Sequence, residues 1–110
     1  MTFDYGKIDI AIQRILSSME PDVIILFGSA AREDASENSD IDLMIIMDTD
    51  DTVETSIDAR LAIGPIGVPV DVLVYTPKEI QERSENIHSV VHDAVTEGKI
   101  LYRKGHRTLR

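Results

Sequence analysis

Three short apolar runs constrain this chain most. They are Val23–Phe27, Ile41–Met47 and Val70–Tyr75, rich in Ile, Leu and Val and interrupted only by Asp42 and Asp71. Runs of this length without polar alternation suit strands buried on both faces. The segments between them supply the cover. Ile8, Ala11, Ile12, Ile15, Leu16 and Met19 recur at helical spacing, so residues 6–19 read as an amphipathic helix ended by Pro21 and Asp22. Ala30-Ala31-Arg32 favours a helical turn, and Glu33–Ser39 reads as a polar loop. Asp48–Asp51 is rich in caps, and Val53–Ile63 reads as a helix stopped by Gly64 and Pro65.

Thr76-Pro77-Lys78-Glu79 is a helix start, with Thr76 as cap, Pro77 in the first turn and Glu79 closing a capping box. The helical region runs to Glu97 with a break near Ser84, Gly98 stops it, and Lys99–Arg103 reads as an edge strand. The expected order is αβαβαβααβ. That is an α/β (α+β) domain, a small mixed β-sheet flanked by helices.

The 110 residues allow one domain, expected over residues 1–103, with a basic C-terminal tail at 104–110. The formal net charge is -9. Arg103, Lys104, Arg107 and Arg110 fall in the last eight residues, which leaves 7 basic against 20 acidic residues before them. So acidic a body argues against a direct nucleic-acid surface, which needs clustered Lys and Arg. With no cysteine there is no disulfide, thiolate metal site or cysteine nucleophile. The apolar runs are too short to span a membrane and the N-terminus shows no signal core, so a cytoplasmic location is expected.

Three features carry chemistry. Asp40 and Asp42 stand two apart at the mouth of a strand, so period-2 geometry points both carboxylates one way. Like charges so close raise each other's proton affinity, and hard oxygen ligands suit Mg²⁺. With 12 Asp in the chain, however, one such pair arises by coincidence. Gly28-Ser29 directly follows a buried strand, where backbone amides can approach a phosphate. Taken alone it reads equally as a tight turn with Ser29 as cap. Asp71 interrupts an apolar strand. If that strand lies beside Ile41–Met47, Asp71 joins the pair; otherwise it is an exposed position on an edge strand.

Together the three are more specific. Gly28-Ser29, ten residues, Asp40-Ile41-Asp42 and then Val70-Asp71-Val72 resembles the nucleotidyltransferase superfamily related to DNA polymerase beta, above all its minimal nucleotidyltransferases. The resemblance covers nearly the whole chain. Many members have a basic residue where Ala30 stands and a Gly where Glu33 stands, while Arg32 is kept. The resemblance implies the polymerase beta-like nucleotidyltransferase fold. It implies two Mg²⁺ ions held by the catalytic carboxylates Asp40, Asp42 and Asp71, with Asp71 nearest the attacking hydroxyl. It implies ATP as substrate, with Gly28, Ser29, Arg32 and Ser39 as nucleotide-binding residues.

Larger members carry extra helical domains for the acceptor. The resemblance therefore implies an acceptor supplied by a partner. Minimal nucleotidyltransferases commonly stand beside a HEPN ribonuclease toxin, and some silence it by transferring AMP to a tyrosine. That implies an antitoxin in a hetero-oligomer with its toxin. Two alternatives stay open: an antitoxin that acts by binding alone, and nucleotide transfer to a small molecule such as an aminoglycoside. Glu33, Asp34 and Glu37 are candidates for facing a basic partner. His88 and His92 share a helix face but lack a third ligand, and read as surface histidines. Phe27 reads as core.

Overall fold

The computed structural model describes residues 4–36, 38–85 and 90–105. His88, Glu37, Arg107 and Arg110, which the sequence reading singled out, lie outside the described residues. Helix α1 (Gly6–Ser18) leads into strand β1 (Val23–Phe27). Then come β2 (Ile41–Ile46), helix α2 (Thr52–Ile63), β3 (Val70–Tyr75), helices α3 (Pro77–Arg83) and α4 (Val90–Glu97), and β4 (Lys99–Arg103). The four strands make one mixed sheet in the order β3-β2-β1-β4. β1 runs antiparallel to β2 and β4, and β2 runs parallel to β3.

Alternation along the strands sorts the core into two layers. Ile24, Leu26, Ile41, Leu43, Ile45, Val72 and Val74 face one way. They pack under Ile8, Ala11, Ile12 and Ile15 of α1 and Ala59 and Ile63 of α2. Ile25, Met44 and Ile46 face the other way, against Val91 and Ala94 of α4. Burial on both faces explains why β1 and β2 are apolar at successive positions. Each Ile or Leu fully buried here contributes about 1.5–3 kcal/mol relative to exposure.

Helix ends follow local chemistry. Asp51 Oδ1 accepts from the Glu54 N–H at 3.0 Å and so caps α2. Arg14 Nη1 donates to the Ile63 carbonyl at 2.6 Å, which ties α1 to the far end of α2. The capping box at α3 is complete. Thr76 Oγ1 accepts from the Glu79 N–H at 3.2 Å, and the Thr76 N–H donates to Glu79 Oε1 at 3.0 Å. His92 is half-buried rather than on the surface, and its Nδ1 donates to the Ser84 carbonyl at 2.8 Å.

The helical turn expected after Gly28-Ser29 is present but does not extend into a helix, so the order is αββαβααβ rather than αβαβαβααβ. The Ala31 and Arg32 N–H groups donate to the Gly28 carbonyl at 3.1 and 3.2 Å, and the Asp34 N–H donates to the Ser29 carbonyl at 3.1 Å. Glu33 then takes φ +62°, and the left-handed backbone ends the coil after one turn. No helix among the described residues is long and apolar enough to cross a membrane.

Candidate active site

The antiparallel pair β1–β2 is joined by residues 28–40, far more than a hairpin turn needs. This long connection and the strand ends beside it hold the Gly-Ser pair and the acids. Asp42 sits second in β2, opposite Phe27 of β1 and opposite Asp71 of β3. Neighbouring strands lie about 4.8 Å apart, so the Asp42 and Asp71 backbones are direct neighbours. Both residues occupy the sheet face that α4 covers further along, because Met44 and Leu73 follow them at period 2. β3 does lie beside β2, which was the condition for Asp71 to join the pair. It is also an edge strand, and Asp71 is exposed. Asp40 is exposed just before β2, and Asp42 is half-buried.

Electrostatics link these groups. Burial pushes the Asp42 carboxyl above its ordinary value, and the charges of Asp71 and then Asp40 push it further. Arg32 acts the other way. Gly28 explains the tight approach. Its φ is +75°, and a Cβ there would overlap Asp42 Oδ2. Only glycine satisfies both demands without strain.

Around the turn, Ala30 and Ala31 are buried in the core, 1% and 5% exposed. Ser29 is half-buried, and no described residue bonds its hydroxyl. Arg32 is exposed and reaches Asp34 Oδ2 at 3.4 Å. Ser39 has a local task, since its Oγ accepts from the Ser36 N–H at 2.9 Å and closes the loop before Asp40. Glu33, a candidate for facing a partner, meets Lys99 Nζ at 3.7 Å. Glu33 also holds a left-handed backbone that costs an L-residue about 1–2 kcal/mol. Glu33→Gly should therefore raise the melting temperature, by a net gain of up to ~1 kcal/mol once glycine's entropy cost is counted. A thermal melt reads this directly, and a lower midpoint would contradict the strain.

A pocket of about 110 Å³ opens here, lined by Phe27, Gly28, Arg32, Asp93 and Glu97. Phe27 is thus half-exposed pocket wall as well as core. Asp93 and Glu97 of α4, which line this pocket, were not singled out as candidate site residues in the sequence. Their only signal was i,i+4 spacing on the polar side of a helix whose place on the sheet was unknown. A larger groove of about 350 Å³ lies between α1 and β4 and reaches the turn only through Ala30 and Glu33. None of the three sequence-picked carboxylates lines it.

Among the described residues, no three acidic or histidine side chains already stand at metal-holding spacing. The donor chemistry nonetheless suits a hard divalent cation. Asp42 is repelled by two neighbouring carboxylates, and a cation between them removes that penalty.

Family comparison decides the class. The family model described as "Polymerase beta, Nucleotidyltransferase" matches residues 10–107. This chain belongs to that family. It is a nucleotidyltransferase of the polymerase beta type. A Methanocaldococcus jannaschii protein provisionally named a protein adenylyltransferase is 35% identical to it over 79 residues, 72% of this chain and 76% of that protein.

Solved structures share the nucleotidyltransferase's fold. One is a toxin–antitoxin complex with AMP-PNP, at TM-score 0.56 and 22% identity, over 88% of this chain and 73% of that one. A provisionally assigned nucleotidyltransferase from Sulfolobus solfataricus matches at TM-score 0.54 and 18% identity, over 94% and 93% of the two chains. A mutant of the toxin–antitoxin MntA-HpeT matches at TM-score 0.54 and 23% identity, over 90% and 74%.

Proposed function

We propose that this nucleotidyltransferase transfers AMP from ATP to a hydroxyl on a partner protein, and so acts as the antitoxin of a toxin–antitoxin pair. The observation that carries the reading is the register of Asp42 beside Asp71, with Asp40 next to them and Gly28 packed against Asp42. The name of the M. jannaschii relative supports a protein acceptor, and the toxin–antitoxin neighbours support the pairing. A tyrosine of a HEPN-type toxin is the acceptor we favour, from the resemblance of the Gly28-Ser29 and Asp40–Asp42 motif to minimal nucleotidyltransferases.

Asp40, Asp42 and Asp71 would hold Mg²⁺, two ions in this reading. Bound there, the metal supplies charge stabilisation for the transferring phosphoryl group and a lowered pKa for the attacking hydroxyl. The chain's own residues do the rest. The turn at Gly28 and Ser29 offers backbone and hydroxyl contacts to the β- and γ-phosphates. Arg32 adds a cation at the pocket wall. Asp71, exposed at the sheet edge, orients the acceptor hydroxyl and takes its proton. The acceptor oxygen bonds to the α-phosphorus as the bond to the bridging oxygen breaks, and pyrophosphate leaves.

Intact-mass measurement of a co-expressed toxin partner tests this. One or more adenylyl additions are expected with the wild-type chain. A partner that is bound and silenced yet unmodified would replace the proposal with inhibition by binding alone.

A further inference from the structure

Helix α2 carries apolar residues on two sides. Its inner side, Ala59 and Ile63, is buried against α1 and the sheet. Its outer side exposes Val53, Ile57 and Leu61, which are 67%, 49% and 75% accessible. These three stand four apart, so they form one continuous stripe. Single exposed apolar residues are ordinary, but an aligned row on a helix already packed on its other side marks a contact surface. Leu61 also lines, with Met19, Met47 and Asp58, a cleft of about 500 Å³ beside the helix. Methionines make adaptable walls for such a cleft.

Charge says what fits. At 100° per residue, Glu54 and Asp58 follow one edge of the stripe, and both are exposed. Asp48 and Asp50 lie exposed just before the helix. None of the four is in an ion pair with a described residue. Arg60, on the other edge, donates to the Val72 carbonyl at 3.4 Å. A second copy fits poorly, because it brings another chain of net charge -9 against an acidic rim. We propose that the Val53–Ile57–Leu61 face of α2, rimmed by Glu54 and Asp58, docks an amphipathic helix of a partner protein whose apolar stripe is bordered by Lys or Arg. Such helix-in-groove contacts take affinity from the apolar anchors and orientation from the charged border.

The surface lies on the sheet face opposite Asp42 and Asp71, so it holds the partner without covering the pocket at Gly28. It stands whether or not that partner is the acceptor, and its test omits nucleotide. Two synthetic helical peptides of about 18 residues share a leucine stripe, one bordered by Lys and the other by Glu. Fluorescence anisotropy should show the Lys peptide binding the wild-type chain about tenfold or more tightly than the Glu peptide. Ile57→Ser with Leu61→Ser should weaken the Lys peptide about tenfold. Glu54→Lys with Asp58→Lys should reverse the preference. All four positions are exposed, and a thermal melt of each variant confirms that the fold is kept. Equal binding of both peptides, or binding untouched by the serine variant, would overturn the proposal. So would a wild-type dimer that the serine variant abolishes, which would assign the face to a second copy.

Discussion

Asp42→Asn should abolish nucleotide transfer and, in the absence of metal, make the protein more stable. Loss and gain share one cause. Asp42 is half-buried, with Asp71 and Asp40 adding like charge and, among the described residues, Arg32 opposing it. Ionised Asp42 is therefore a cost to the fold, kept for a cation that cancels it. Asparagine fills the same space without the charge. Removing one group that stabilises transition-state charge already costs about 10²–10³ in rate, before the loss of the cation that Asp42 would hold is counted.

The pH dependence has a definite sign. A carboxyl held above its ordinary value gives stability that is fully present below about 3.8 and is lost as pH rises through its native value. The melting temperature of Asp42→Asn should exceed that of the wild type by an amount that grows over this interval and then levels off. Mg²⁺ with ATP should raise the wild-type midpoint and leave the variant's unchanged. Equal midpoints across pH would remove the electrostatic account.

The second large effect is at Gly28. Gly28→Ala places an L-residue at φ +75°, which costs about 1–2 kcal/mol, and drives a methyl into the Asp42 carboxylate. The expected loss is about 2 kcal/mol or more, together with loss of transfer, because Asp42 must move. A double-mutant cycle separates the two parts. With Asp42→Ala in the background the overlap disappears and only the backbone cost remains. The coupling between the positions should then reach roughly 0.5–3 kcal/mol. Additive losses, measured by urea unfolding, would mean that Gly28 and Asp42 do not touch.

Much of the site was legible because its signals are local. Val23–Phe27 matches β1, since two-sided burial writes itself as an unbroken apolar run, and Val70–Tyr75 matches β3, an edge strand whose apolar run is broken only at Asp71. Thr76 and Glu79 announce their capping box within four residues. The strand directions were not legible. β2 is antiparallel to β1 and parallel to β3, a choice set by long-range packing and not by any one segment. The turn at Ala30–Arg32 looked helical because alanine favours helix, yet its length is decided by Glu33 in a left-handed conformation. Asp93 and Glu97 became pocket residues only when α4 was placed against β1. Ile57 and Leu61 lie in a segment legible only as a helix, and the fold shows that they face outward.

The central claim is that the acids at the mouths of β2 and β3, set against Gly28, are where nucleotide and cation bind. Calorimetric titration of ATP into the purified protein, with and without Mg²⁺, tests it most directly. The account predicts Mg²⁺-dependent binding to the wild type and none to a folded Asp42→Asn. Equal affinity in the two proteins would contradict it and move the site elsewhere.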